Sequence, residues 1–217
     1  MMYSLRKFNQ WKAYVCLVCM FLIGVSGKAS DEWSSPNGKI VVSATPSVDG
    51  FKVSYKKGNE TISVVHINNV GLCFSQADAE FVYMDSSPVI PLKEDYTMVT
   101  GKRRHCMNQG NQQVFHFKNA QNVRLDLEFR VYDDGIAFRY VFPELKEEMS
   151  IAGEKTTFQF QEGITRWTQK LSQSYEDFYL KNKGRVSGYS QNQWGFPALF
   201  EVSEAVFTLV SEANIGR

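Results

Sequence analysis

The stretch Val123–Phe142, VRLDLEFRVYDDGIAFRYVF, decides the fold class of this chain. Its first half alternates apolar and charged residues, which is the period of a strand with one buried face. The apolar set is Val123, Leu125, Leu127, Phe129 and Val131. Asp134-Gly135 then supplies the dipeptide that is typical of a two-residue hairpin turn with positive φ. The stretch therefore predicts a β-hairpin and, for the chain, an antiparallel β protein.

A two-residue turn also predicts a register for this hairpin. The expected pairs are Asp133–Ile136, Val131–Phe138, Phe129–Tyr140 and Leu127–Phe142. All the apolar pairs then lie on one face, and a slip of one residue would move them to the other face. In this register Arg130 and Arg139 face each other, and like charges directly opposite are unfavourable. Glu128 is diagonal to Arg139, so the arginines either pair with carboxylates or contact a ligand.

Length and composition limit the classes of protein that this chain can be. Its 217 residues, 43% of them hydrophobic, suffice for one large sandwich or two small domains with a true core. The formal net charge of +1 gives no electrostatic basis for binding nucleic acid, so no such partner is expected. Aromatic residues make up 14% of the chain, and we attribute most of them to core and cross-strand packing.

The N-terminus has the pattern of a cleaved secretory signal peptide. Three cations in the first twelve residues precede the apolar run Ala13–Gly24, which is too short to span a bilayer comfortably. Small residues follow at positions 25–27, so we assign residues 1–27 to the signal peptide and 28–217 to the mature domain. The mature protein is then periplasmic or secreted, with no membrane contact. One alternative is an uncleaved membrane anchor; a lipoprotein modified at Cys16 or Cys19 is less favoured, since no small residue stands just before either cysteine.

Signal cleavage removes two of the four cysteines and leaves Cys73 and Cys106. Two cysteines do not make a disulfide framework. Whether they pair with each other is left open by the sequence.

Short strand-like segments separated by turn residues continue along the mature chain, which favours a sandwich or a barrel. Residues 86–110 show no clear period, and we expect a long excursion with one or two irregular strands there. Residues 171–192 are loop-rich, and Ala198–Val202 with Ala205–Ser211 predict a final hairpin. That last strand runs into the C-terminus without a closing pattern, so we expect the chain to be a fragment.

Motifs for common chemistries are absent from the sequence: it has no phosphate-binding Gly loop, nucleophile elbow, HExxH or Cys-rich zinc pattern. The histidines, His66, His105 and His116, are scattered. His116 alternates with two phenylalanines, and we interpret it as a surface or satisfied sheet histidine. The basic run Lys102–Arg104 is interpreted as a solvated loop rather than a site for acidic sugar or phosphate.

The segment Trp167–Tyr179 places Glu176 in a loop between aromatic residues. Aromatic faces stack on sugar rings, and a loop carboxylate can hold a hard cation or a hydroxyl group. The alternative, from spacing alone, is a plain surface loop.

Three features, in this order, carry a resemblance to a known family. They are Ser35-Pro36-Asn37-Gly38 before the first strand, Tyr132–Tyr140 with Phe142-Pro143, and Trp167 followed nine residues later by Glu176. Over about residues 33–215 the chain resembles the amino-terminal domain of glycoside hydrolase family 97, the α-glucosidases and α-galactosidases of Bacteroidetes glycan-utilisation systems.

The resemblance implies an all-β fold, an antiparallel β-super-sandwich of the galactose mutarotase type, packed on a (β/α)8 catalytic barrel that follows it. It implies that Glu176 helps to hold a calcium ion at the active site and that the substrate is an α-linked oligosaccharide. The catalytic groups belong to the barrel, so this chain alone is expected to be inactive.

Two other functions are alternatives to the glycosidase module. One is a free-standing carbohydrate-binding β-sandwich module. The other is a mutarotase-like epimerase, which needs a histidine and a carboxylate as acid and base in one cleft. The scattered histidines argue against the epimerase.

Overall fold

The structure, a computed structural model, describes residues 31–45, 50–74, 80–144, 150–171, 178–183 and 194–212. The predicted signal peptide, the two cysteines within it and Glu176 lie outside these ranges. The described residues contain strands and turns but no helix, and thus no helix that could cross a membrane. The all-β prediction is confirmed.

Sixteen strands account for most of the described residues. In chain order they are β1 (Asp31–Ser34), β2 (Ile40–Thr45), β3 (Gly50–Lys57), β4 (Glu60–Asn68), β5 (Leu72–Phe74), β6 (Val82–Ser86), β7 (Ile90–Thr97), β8 (His105–Lys118), β9 (Arg124–Tyr132), β10 (Ile136–Val141), β11 (Ile151–Glu154), β12 (Thr157–Gln159), β13 (Thr165–Lys170), β14 (Leu180–Lys183), β15 (Trp194–Ser203) and β16 (Val206–Val210).

The strands form four antiparallel sheets. Sheet I has the order β1-β2-β3-β4-β12, and sheet II has the order β10-β9-β8-β6, with β7 paired to β8 as well. Sheet III pairs β5 with β11, and sheet IV has the order β14-β13-β15-β16. The final hairpin predicted from the sequence is the β15–β16 pair.

The core lies between sheets I and II, because each presents one apolar face to the other. Phe51 of sheet I stacks on Phe129 of sheet II with ring centroids 4.7 Å apart and meets Phe115 edge-on at 5.0 Å. Trp33 of β1 contacts the same two rings, at 5.6 Å from each. Such aromatic contacts each add about 0.5–1.5 kcal/mol beyond the burial of apolar area. The two sheets therefore form a sandwich with an aromatic centre.

The β9–β10 hairpin forms where the sequence predicts it, but its predicted register is wrong by two residues. Ile136 pairs with Val131, Phe138 with Phe129, and Tyr140 with Leu127. The loop is four residues long and is closed by a 2.8 Å bond from the backbone N–H of Tyr132 to the Gly135 carbonyl. Gly135 has no positive φ, so the turn is not the two-residue type. A shift of two keeps every side chain on its face, so the apolar pattern is satisfied equally well.

The register also removes the predicted conflict between two arginines. Arg139 lies opposite Glu128, and their side chains form a 2.6 Å ion pair, whereas Arg130 lies opposite Ala137. Arg130 turns instead to Glu94 on β7, with its Nη1 2.7 Å from the carboxylate. Both arginines are thus in structural pairs.

Residues 86–110 form a regular hairpin, not the irregular excursion that the sequence suggested. All eight residues of β7 pair with β8, from Ile90–Gln112 to Thr97–His105. From His105 to Gln109, β8 pairs with β7 but not with β9, so the hairpin is two-stranded there. Its side chains are largely exposed. A hairpin solvated on both faces needs no apolar period, so period-based reasoning misses it.

Cys73 on β5 and Cys106 on β8 are both free thiols.

Candidate functional site

Sheet IV carries the connection that contains Glu176. Strands β13 and β14 pair from Thr165–Lys183 to Thr168–Leu180, and residues 171–179 join them. Glu176 itself lies outside the described residues, so its predicted role as a calcium ligand stays a prediction. What the structure does place is the frame on either side of it, which is Trp167 on β13 and Phe178-Tyr179 before β14.

One face of sheet IV presents apolar side chains to solvent. Trp167, Leu199 and Leu209 follow one another across three strands, and Phe207 lies two residues before Leu209 on the same face. The rings of Trp167 and Phe207 are 6.2 Å apart. Phe207 is 53% exposed and Leu209 61% exposed. We call these four residues the sheet IV apolar face.

The two faces of sheet IV differ in what they contact. On the opposite face Phe200 stacks on Phe160 at 3.8 Å, and Ala198 is buried. On the apolar face the amine of Lys181 lies 5.4 Å from the centre of the Trp167 ring. A cation over an aromatic ring is favourable, yet it leaves the flanking Phe207 and Leu209 uncovered. Contiguous exposed apolar side chains of this kind mark interaction surfaces.

Phe178 adds to the exposed aromatic area at the start of β14. It is 84% exposed, and Tyr179 beside it is 46% exposed. The aromatic residues that the sequence assigned to the Glu176 loop are therefore at the surface where they are described.

A metal ion would need ligands from outside the described ranges. Within them, no group of three or more His, Cys, Asp or Glu side chains is placed to hold one. Calcium takes six to eight oxygen ligands, most of them carboxylates. If Glu176 binds calcium, it does so as one ligand among several.

The three histidines of the sequence lie at separate places in the fold. His66 lies on β4, His105 begins β8 at the exposed end of its hairpin, and His116 lies near the other end of β8. His105 is near Asp95, with its Nε2 3.2 Å from the carboxylate. The prediction that His116 is a satisfied sheet histidine is confirmed, because its Nδ1 is 2.7 Å from Asp126 Oδ1.

Asp126 connects two strands of sheet II. Its carboxylate accepts from Nε of Arg124 at 2.8 Å and from Nη2 at 3.0 Å, besides its contact with His116. Burial by itself would raise the pKa of Asp126, but the hydrogen bonds and charges of Arg124 and His116 outweigh it and lower the pKa below its ordinary value. Asp126 is therefore an anion at neutral pH and not a general acid.

A second polar network lies on sheet II nearer β7, and no sequence signal pointed to it. Glu94 receives hydrogen bonds from Arg130 at 2.7 Å and from the Tyr132 hydroxyl at 3.3 Å. Arg130 also donates to Gln112 at 2.8 Å. These partners are 18 to 38 residues apart in sequence, so only the strand register could have revealed them.

Two of the motifs that carried the resemblance contact each other. The backbone N–H of Asn37, in the first turn, donates to Asp133 in the β9–β10 turn at 2.9 Å. Asn37 Oδ1 accepts from the Ser35 hydroxyl and the Lys39 N–H, which shapes its own turn. These motifs therefore join sheets I and II and have a structural role.

A search of protein families and known proteins gives one consistent result. The family model for the glycosyl-hydrolase 97 N-terminal domain matches residues 33–217. A curated relative, a "Probable retaining alpha-galactosidase" of Streptomyces bingchenggensis (strain BCW-1), is 25% identical over 183 residues. That match covers 84% of this chain but 27% of the relative, so the chain spans about a quarter of it.

Solved structures share the fold at low identity. A β-arabinopyranosidase superimposes with a TM-score of 0.69 at 23% identity, over 86% of this chain and 32% of that one. A glycoside hydrolase family 97 enzyme from Pseudoalteromonas sp. strain K8, in complex with panose, gives 0.57 at 19% identity, over 78% and 26%. A glycoside hydrolase family 97 enzyme from the same strain, in complex with acarbose, gives 0.55 at 16% identity, over 83% and 32%.

Proposed function

Since the chain belongs to the glycosyl-hydrolase 97 N-terminal family, we propose that it is the non-catalytic β-sandwich module of a calcium-dependent α-glycosidase, an α-glucosidase or α-galactosidase. The carboxylate of Glu176 is one ligand of the active-site calcium. The substrate is an α-linked oligosaccharide, and the protein acts in the periplasm or outside the cell. The family match over residues 33–217 carries this proposal.

A barrel partner is supported by the sheet IV apolar face. This face is on the sheet whose β13–β14 connection contains Glu176. Its exposed Phe207 and Leu209 would lose their contact with water if a (β/α)8 barrel packed there. Burying such side chains is worth about 1.5–3 kcal/mol each. The relatives also have room for such a domain, because this chain covers only 26–32% of each of them.

The carboxylates of the two polar networks on sheet II give no support for catalysis by the sandwich itself. A glycosidase needs two carboxyl groups about 5–9.5 Å apart around the scissile bond, one of them able to donate a proton. Asp126, Glu128 and Glu94 are all held by arginines. Carboxylates neutralised in this way are structural, so the proposal assigns both catalytic groups to the barrel.

Bound calcium would supply a fixed positive charge near the scissile bond. The Glu176 carboxylate would hold that ion, and the frame of Trp167 and Tyr179 would fix where its loop leaves the sheet.

The test is a calcium titration of activity in the enzyme that joins this module to its barrel. Glu176→Gln keeps the shape of the side chain and removes one charge, so the calcium concentration for half-maximal activity should rise at least about tenfold. The neighbouring Asp177→Asn is the matched control and should leave the curve in place. Superimposable curves for wild type and Glu176→Gln would refute the ligand assignment.

A further inference from the structure

Sheet II carries a cleft that has no part in the proposed function. Its volume is about 510 Å³, and it is lined by Met84, Asp85, Ser86, His116, Phe117, Lys118 and Arg124. Sites for small ligands have volumes of about 300–1,000 Å³, so the space is adequate for a short saccharide. The lining comes from β6, β8 and β9, which are neighbouring strands, so the cleft rests on rigid elements.

A β-bulge shapes one wall of the cleft. The register between β6 and β8 shifts between Tyr83 and Asp85, so Asp85 comes to lie opposite His116. Residues opposite each other in an antiparallel pair have Cβ atoms about 4.5–5.5 Å apart. The bulge leaves Met84 59% exposed beside them. The bulge thereby brings three side chains together. The Asp85 carboxylate accepts hydrogen bonds, the His116 ring has donor and acceptor atoms, and Met84 is apolar.

The polar groups of the cleft are held in place before any ligand arrives. The carboxylate of Asp126, whose side chain is 11% exposed, holds the side chains of His116 and Arg124 through contacts of 2.7 and 2.8 Å. With His116 Nδ1 at Asp126, Nε2 is the ring atom left for a ligand. Fixing side chains in advance lowers the entropic cost of binding.

The charges of the cleft select the class of ligand. Arg124 is paired with Asp126, which is not a lining residue, and the other two charged lining residues, Lys118 and Asp85, have opposite signs, so little excess charge is left to attract an anion. Two cations at the rim also disfavour a metal ion. Sugar hydroxyls both donate and accept, which suits this mixture, and the apolar C–H face of a sugar suits Met84.

We propose that this cleft is an accessory binding site for a neutral saccharide, with Asp85 and Lys118 as its principal hydrogen-bonding side chains. That the saccharide is α-linked rests on the proposed function. The site lies on sheet II, apart from the Glu176 connection on sheet IV. It would hold a polymeric substrate to the module while the barrel acts on it.

The test is titration of the purified chain with maltotriose, followed by calorimetry or by NMR shifts. Asp85→Asn should lower the association constant about tenfold, because it replaces a charged hydrogen-bond acceptor with a neutral one. Lys118→Ala should lower it similarly. Asp85 and Lys118 are exposed, so their replacement leaves the core intact. Asp134→Asn, an exposed turn carboxylate, is the control and should bind as wild type does.

Failure to bind maltotriose, or equal affinity in wild type and Asp85→Asn, would overturn the proposal. Tighter binding of a uronic acid trisaccharide than of maltotriose would overturn the neutral class. This titration needs neither calcium nor a barrel, so its outcome is independent of the Glu176 titration.

Discussion

At the scale of single residues, Asp126 shows how one carboxylate can decide the local order of a sheet. It joins His116 of β8 and Arg124 of its own strand, and its side chain is 11% exposed. Asparagine at this position would remove the charge and replace one acceptor oxygen with an NH2 group facing donors. We therefore expect Asp126→Asn to lower the free energy of unfolding at pH 7 by about 1.5–3 kcal/mol.

The pH dependence of this effect has a definite sign. The pKa of Asp126 is lower in the folded protein than in the unfolded chain, where it is about 3.9. Its stabilisation is therefore complete above about pH 5 and is lost as the pH falls through the folded-state pKa. Urea unfolding of wild type and Asp126→Asn should differ at pH 7 and converge at acid pH. A difference that stays constant down to pH 2.5 would contradict the assignment, and Asp134→Asn serves as the control.

Two glycines provide a matched pair for the same unfolding assay. Gly50 has φ +83°, and a Cβ there would overlap the carbonyl oxygen of Ile67. Gly135 has no positive φ and open space around its Cα. Gly50→Ala should lower the free energy of unfolding by about 2–4 kcal/mol, through backbone strain and overlap. Gly135→Ala should change it by less than about 1 kcal/mol, on the stabilising side. A large loss of stability in Gly135→Ala would instead indicate that Gly135 has the positive φ predicted from the sequence.

At the scale of elements, the sequence predicts faces more reliably than registers. The alternation in β9 correctly assigns Leu125, Leu127, Phe129 and Val131 to the core, because one face of that strand is packed in the core while the other, apart from Asp126, is only partly buried. It cannot choose between registers that differ by two residues, since both bury the same side chains. The choice depends on the geometry of the Tyr132–Gly135 turn and on the pairing of Arg139 with Glu128.

The β7–β8 hairpin and the cleft could not be predicted from the sequence. The hairpin is held by backbone bonds and by polar pairs such as Glu94–Arg130, none of which has a period. The cleft depends on a bulge that places Asp85 opposite His116, 31 positions further along the chain. The sequence could interpret His116 as satisfied but could not name Asp126 as its partner, because that requires the register of β8 with β9.

At the scale of the whole molecule, the sheet IV apolar face predicts how the chain behaves without a partner. Exposed Phe207 and Leu209 favour self-association. Replacing both with Thr, which suits a strand, should raise the fraction of soluble monomer. Light scattering during gel filtration measures this. Val99→Thr is the control, because Val99 is 98% exposed in the turn between β7 and β8, away from this face.

The same two substitutions separate the proposed module from a self-sufficient protein. In an enzyme that includes the barrel, they should loosen the docking of the sandwich and lower its melting temperature. If the wild-type chain is already a monodisperse monomer and the double variant changes nothing, the face is not a docking surface.

The last expectation is that this chain alone hydrolyses no α-glycoside. Both carboxyl groups of a glycosidase must flank one scissile bond, and one must be protonated when it acts. On sheet II, Asp126, Glu128 and Glu94 are engaged by arginines, and the pKa of Asp126 is lowered. Asp85 lies across His116 from Asp126 and has no second free carboxylate to act with it among the strands of that cleft as described. Purified chain should release no nitrophenol from nitrophenyl α-glucoside or α-galactoside above a mock preparation, with or without calcium. Turnover that Asp85→Asn abolishes would move catalysis from the barrel to this cleft and overturn the proposed division of labour.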